Sequence, residues 1–301
     1  MPGARSYSDV SVAREALLRK QFTIFVSERT THQIVILDSQ GKQIGAISRN
    51  AADTISTDSD GNVYAVPEYG NRLDIYKPPY KAAPTVLRFG TQSVVFAAVD
   101  QKTGVYAVVT LYNGGGPGPP VIYFFRHESV KPCNVLGQQP GIATYGAYGA
   151  FDGEGTLFLV AGTNSGKTTV ASIAGECSAT TAVADSFVEP IDPYALVTVN
   201  ADDDIVIQDF SVKSWPVYTY KHPVKGVFSK PVSTTVLAPS NGSAPQALLL
   251  GVDGRSIWGA FFETFAPLSL YRYPAGGVPI QSIHGLRYIW SVATFPALVP
   301  K

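Results

Sequence analysis

Short apolar runs separated by turn-forming residues recur along most of the chain. Runs of this length bounded by Gly, Pro, Asn and Asp read as strands buried on both faces, because a helix needs roughly ten or more periodic positions. One unit repeats five times: an apolar run, a turn containing Asp or Asn, and a second apolar run. It spans Ile55–Tyr64, Ala97–Tyr106, Gly149–Phe158, Val197–Val206 and Leu249–Trp258. The turn anchors Asp58, Asp100, Asp152, Asn200 and Asp253 stand 42, 52, 48 and 53 residues apart. That period suits a four-stranded propeller blade with loops of varying length.

A third apolar run rich in Tyr and a shorter fourth follow these hairpins and supply the outer strands of the blades. Leu73–Pro79 precedes Thr85–Phe89, Val121–Phe125 precedes Asn134–Leu136, Val217–Tyr220 precedes Thr234–Leu237, and Leu268–Pro274 precedes Pro279–Ile283. The two ends are complementary. Phe22–Val26, Gln33–Leu37 and Gln43–Ile47 read as strands two to four of a blade that lacks its first strand, and Ile289–Phe295 is a first strand with no blade after it. Joining them makes a sixth blade and removes two free sheet edges. The expected fold is all-β: a six-bladed β-propeller of four-stranded blades, closed by the C-terminal strand on the N-terminal blade. Residues 1–21 form a separate N-terminal segment, with a short capped helix expected over Ser8–Lys20. Residues 22–301 form a single propeller domain.

Composition agrees with that class and narrows the partners. Hydrophobic residues make up 45% of the 301 and charged residues 15%, with 28 Gly and 22 Pro, enough to bury a core and punctuate many strands. Lys and Arg number 23 against 23 Asp and Glu. With no net charge and no like-charge block, the sequence lacks the footprint of a nucleic-acid binder. No run approaches the roughly 20 apolar residues that span a bilayer, and Met1–Ala4 leads into polar residues, not into the apolar core of a signal peptide.

The hairpin Asp60-Gly-Asn-Val-Tyr-Ala-Val66 and the third-strand ending Tyr271-Arg-Tyr-Pro-Ala-Gly-Gly277 resemble the repeats of the NHL-repeat and SMP-30/gluconolactonase-like six-bladed propellers. More narrowly, they are similar to exported bacterial propeller proteins of unassigned function. The resemblance covers residues 22–301 and specifies a blade, not a reaction. It implies an extracytoplasmic protein whose export signal is absent from the sequence given. A lactonase of the resembled group would hold a divalent metal at the channel mouth through an acidic residue and an Asn, backed by a catalytic Asp, but no segment here reproduces those ligand motifs.

The residues that enter the first strands from the channel side are Asp53, Ser93, Tyr148, Tyr194, Gln246 and Tyr288. One carboxylate among polar and aromatic groups suits stacking and hydrogen bonding better than metal-assisted hydrolysis. These six are the candidate binding residues, at the mouth of the channel. Ala161-Gly-Thr-Asn-Ser-Gly-Lys-Thr168 nearly spells a phosphate-binding loop, yet Ala161 replaces its first Gly and the following Thr168–Ile173 falls where a third strand belongs, not the helix such a loop needs. It reads as a hairpin turn. The Asp and Asn anchors read as turn residues bonding their own backbone. Asp202-Asp-Asp204 could hold a hard cation through oxygen ligands, although a solvated turn is the preferred reading.

His32, His127, His222 and His284 are scattered at turns and outer strands, and no Gly-x-Ser-x-Gly elbow is present. Asn241-Gly-Ser243 reads as a turn, and Asn113–Pro120 as a tolerated hairpin excursion. Cys133 and Cys177 occupy outer positions of neighbouring blades. Since radial blades diverge toward the rim and a disulfide needs Cα atoms within about 7 Å, the two thiols are expected to be unpaired. The favoured function is a non-enzymatic binding or interaction propeller presenting one face to a small molecule, glycan or protein, without a cofactor. The alternative is a metal-dependent lactonase or hydrolase at the central channel, holding one divalent cation such as calcium.

Overall fold

The computed structural model describes residues 22–47, 52–68, 70–111, 119–138, 142, 148–162, 168–188, 191, 195–210, 214–238, 246–251, 253–260, 265 and 267–300. Six antiparallel sheets form the six blades of a β-propeller. In blade 1, β1 (Thr23–Glu28), β2 (Gln33–Leu37) and β3 (Gln43–Ile47) are completed on the inside by β25 (Ile289–Phe295). Blade 2 holds β4 (Ala52–Thr57), β5 (Val63–Pro67), β6 (Arg72–Tyr76) and β7 (Thr85–Arg88). Blade 3 holds β8 (Ser93–Val99), β9 (Tyr106–Leu111), β10 (Pro120–Phe125) and β11 (Pro132–Leu136). In blade 4, β12 (Gly149–Phe151), β13 (Leu157–Gly162), β14 (Thr168–Ile173) and β15 (Val183–Phe187) are followed outward by a fifth strand from the next blade, β19 (Val227–Phe228), paired parallel to β15. Blade 5 holds β16 (Leu196–Val199), β17 (Ile205–Gln208), β18 (Val217–Tyr220) and β20 (Ser233–Thr235). Blade 6 holds β21 (Gln246–Leu250), β22 (Ser256–Ala260), β23 (Leu268–Arg272) and β24 (Gly276–Ile283).

The middle strands are largely apolar along both faces because both are covered by neighbouring blades. In β9, Tyr106 and Val108 point into the cluster shared with blade 2, whereas Ala107 and Val109 point into the cluster shared with blade 4. In β5 the same alternation sends Tyr64 and Val66 one way and Val63 and Ala65 the other. Such clusters fill all six blade junctions. Ring closure is a full pairing, with Ile24 opposite Thr294 and Val26 opposite Val292. Buried hydroxyls lock the closing blade to the next: Ser291 Oγ accepts the Ile55 N–H at 3.1 Å, Thr57 Oγ1 donates to the Thr294 carbonyl at 2.6 Å, and Ser27 Oγ donates to the Ala52 carbonyl at 2.6 Å.

The cysteines correct the sequence-based expectation. Cys133 and Cys177 form a disulfide with Cα atoms 5.3 Å apart. The strands do diverge outward, but Cys177 is not on a strand: after β14 the chain makes a 3₁₀ turn, Glu176–Ser178, that leans onto β11 of blade 3. Asn134 Nδ2 donates to the Ala179 carbonyl there at 2.7 Å, and both cysteines pack against the cluster between blades 3 and 4. The segment Ser8–Lys20 lies outside the described residues.

Candidate functional site at the channel

Each inner strand runs from one face of the ring to the other. One face, the turn rim, carries the turns between first and second strands. The other, the mouth, carries the entries to the first strands and the loops between second and third strands. On the turn rim the anchors act as turn residues. Asp58 Oδ1 accepts the N–H groups of Asp60 and Asn62, Asp152 Oδ1 those of Glu154 and Thr156, and Asn200 Oδ1 those of Asp202 and Asp204. The three adjacent carboxylates at 202–204 do not converge: Asp204 pairs with Lys221 at 2.7 Å, while Asp203 turns to the Gly153 N–H at 2.6 Å. The near phosphate-loop segment is a hairpin, with β14 paired antiparallel to β13, Gly162 opposite Thr168; residues 163–167 are outside the described set.

Along the axis the six inner strands enclose a cavity of about 150 Å³. Its turn-rim end is covered by the C-terminal residues Ala297, Leu298 and Pro300, with Leu298 packed on the cluster between blades 5 and 6. Gly149 is required where the wall is tightest: a Cβ there would lie 2.5 Å from the Phe96 ring, which intrudes from β8. One side of the cavity is mostly apolar, formed by Ala150, Val197, Leu249 and Leu250 with Thr198 among them. On the side formed by β4 and β25, Thr54, Ser56 and Thr294 line the cavity, and their buried hydroxyl oxygens have no hydrogen-bond partner among the described residues. A cavity of this volume has room for about five waters at roughly 30 Å³ each, or a compact molecule. The described lining contains no carboxylate and no imidazole.

At the mouth, Tyr148 lies just before β12 and donates its hydroxyl to the Trp290 carbonyl at 3.0 Å. Burial raises the Tyr148 pKa, and the negative charge of Asp53, from blade 2, raises it further. Tyr288 stacks on Trp290 with centroids 6.3 Å apart. The Arg29 guanidinium lies 4.7 Å from the Trp290 ring and 5.9 Å from Tyr288, and pairs with Glu68. Ser93 opens β8 and Gln246 opens β21; Tyr194 lies outside the described residues, as do Asn241–Ser243 and residues 112–118. Sequence reading missed Arg29, Glu68 and Trp290. Trp290 was within reach, since it stands two residues after Tyr288 at the start of β25 and so shares its face. Arg29 was not, because only ring closure brings residue 29 beside residue 290.

No family model matches the sequence, and no curated protein matches it. Among solved structures the chain is similar to a protein of unknown function from Bacteroides caccae, with a TM-score of 0.61 and 9% identity over 91% of this chain and 99% of that one. It also aligns with the dihydro-heme d1 dehydrogenase NirN, solved in complex with DHE, with a TM-score of 0.49 and 10% identity over 90% of this chain and 74% of that one. The first likeness shows the fold alone, the second carries no argument, and neither ties the chain to the NHL-repeat or gluconolactonase-like group.

Proposed function

We propose that this propeller is a non-enzymatic binding module that receives a small neutral molecule, or the end of a glycan, at the mouth of its channel. The observation that carries this reading is the two-sided cavity. Thr54, Ser56 and Thr294 contribute polar lining on one side and Ala150, Val197, Leu249 and Leu250 mostly apolar lining on the other, a match for a guest with hydroxyl groups along one edge and a carbon face on the other. At the mouth, Asp53, Ser93, Tyr148 and Tyr288 form part of the surrounding rim in this reading, Tyr194 and Gln246 being candidates on the sequence alone, and the Trp290–Arg29 stack gives it an aromatic floor. A lactonase would need several convergent oxygen or nitrogen ligands in the channel, and the described lining offers hydroxyls instead. The disulfide supports an extracytoplasmic location, since such bonds persist in oxidising compartments.

The test is a titration of intrinsic tryptophan fluorescence with a panel of neutral mono- and disaccharides, using Trp290→Phe and Thr54→Val variants. Saturable binding by a panel member, weakened about tenfold by Thr54→Val (the loss of one net hydrogen bond of about 1.4 kcal/mol), supports the proposal. Absence of binding across the panel, or lactone hydrolysis that disappears in Asp53→Asn, overturns it.

A further inference from the structure

At four successive junctions the turn anchor of one blade faces the residue just past the third strand of the next. Asp58 Oδ2 lies 3.6 Å from His127 Nε2, and Asp152 Oδ2 lies 3.8 Å from His222 Nδ1. Thr103 Oγ1 lies 2.7 Å from Asp100 Oδ2 and 2.9 Å from Glu176 Oε1, and Asn200 Nδ2 lies 3.4 Å from the Tyr273 hydroxyl. The repetition gives each junction an internal control. At the first, Asp58 Oδ2 accepts from Asn62 Nδ2 at 2.7 Å and from the Tyr64 hydroxyl at 3.0 Å, so His127 meets an oxygen that is already satisfied. At the third, the equivalent positions, four and six residues after the anchor, hold Thr156 and Phe158. Both hydrogen bonds to Asp152 go to Oδ1. Its Oδ2 accepts none among the described residues, although Asp152 is only 2% exposed.

That bare oxygen faces two further groups, and one oxygen of Asp152, one of Asp203 and one ring nitrogen of His222 all lie within 4.8 Å of one another. His222 Nε2 is 2.7 Å from the Asp203 backbone carbonyl. A carbonyl only accepts, so Nε2 carries a proton; the same nitrogen lies 3.4 Å from Asp203 Oδ2, and Nδ1 is the nitrogen turned toward Asp152. Metal-bound histidines are usually oriented in this way, one nitrogen held by a backbone carbonyl and the other left for the ion. We propose that Asp152, Asp203 and His222 form a divalent-metal site that clamps blade 4 to blade 5 on the turn rim, opposite the mouth. Two carboxylate oxygens and one imidazole are the ligand set of a zinc-like ion with water in its fourth position, drawn in to roughly 2.0–2.2 Å. Calcium and magnesium would have to complete six or more ligands with water and prefer oxygen to imidazole, so the set suits them less well.

The experiment is calorimetry on the chelator-stripped full chain with ZnCl2, CaCl2 and MgCl2 in turn. The expected result is one Zn²⁺ per chain, with Ca²⁺ and Mg²⁺ binding at least about 100-fold more weakly. His222→Gln should abolish the Zn²⁺ isotherm. Asp203→Asn keeps an acceptor for the Gly153 N–H and removes only the charge; it should weaken Zn²⁺ by about 30-fold or more, and it stands as the test if His222→Gln fails to fold. His127→Gln, at the satisfied junction, should change neither stoichiometry nor affinity. No saturable Zn²⁺ binding, or binding that Asp203→Asn leaves intact, overturns the assignment and leaves His222 a hydrogen-bonded staple.

Discussion

Reducing the Cys133–Cys177 bond tests both the blade 3–blade 4 contact and the rule that failed to foresee it. The bond closes a loop spanning 44 residues. The chain-entropy relation then gives an unfolded-state constraint of about 13 cal/mol/K, or about 4 kcal/mol at 25 °C. With a guanidinium slope of roughly 5 kcal/mol/M for a chain of this size, the unfolding midpoint should fall by roughly 0.8 M. The cleanest comparison is the wild-type protein with and without a phosphine reductant, because it removes the cross-link and no atoms of the core. Cys133→Ala/Cys177→Ala should match the reduced protein within about 1 kcal/mol, since both residues are only partly buried in the cluster they touch. The denatured, unreduced protein should show no free thiol. Two free thiols, or a midpoint that reduction leaves unmoved, would refute the reasoning.

A chain truncated after Gly285 loses β25 and should show no cooperative unfolding by near-UV circular dichroism, because β25 supplies the whole inner edge of blade 1. Asp58→Ala should cost about 3–5 kcal/mol in denaturant unfolding, since it strands the buried Tyr64 hydroxyl and the Asn62 amide; Asp253→Ala, which loses one exposed bond and one from the buried Ser256 hydroxyl, should cost about 1–3 kcal/mol. Burial, then its contact with Asp100, pushes the Glu176 pKa up to about 7. A carboxyl raised on folding takes up a proton, so wild-type stability should fall as pH rises from about 4.5 to about 7 and then level off. Glu176→Gln should therefore be more stable by roughly 1 kcal/mol at pH 8, a figure discounted for partial exposure, and no more stable at pH 4. A difference that does not change with pH counts against this.

Much of the architecture was legible because the propeller writes it into local pattern. The run Tyr106–Leu111, apolar but for Thr110, reads as a strand covered on both sides, and the missing first strand before Phe22 matches the surplus one at Ile289. What failed to show was whatever depends on a loop leaving its blade. Cys177 reached blade 3 through a 3₁₀ turn, and Val227–Phe228 left blade 5 to become a fifth strand of blade 4. Neither departure has a periodic signal, because both are set by contacts between segments about 40 residues apart.

Candidate chemistry followed a different logic: it lay in the departures from the repeat. The anchor Asp is a turn device wherever its second oxygen is satisfied, as the Asn62 and Tyr64 bonds to Asp58 show. Substituting Thr156 and Phe158 at the same offsets keeps the turn, because backbone N–H groups supply its bonds to Oδ1, but it frees the second oxygen. The two histidines past the third strand then stand in equivalent places with different prospects, His127 against a filled acceptor and His222 against an open one. Aligning the five hairpins position by position, and not only by their anchors, would have exposed this difference from the sequence. The same reading separates the two faces of the ring: the turn rim repeats with local substitutions, whereas the mouth side, with Arg29, Tyr148 and Trp290, has no repeat to compare and needed the closed ring to become visible.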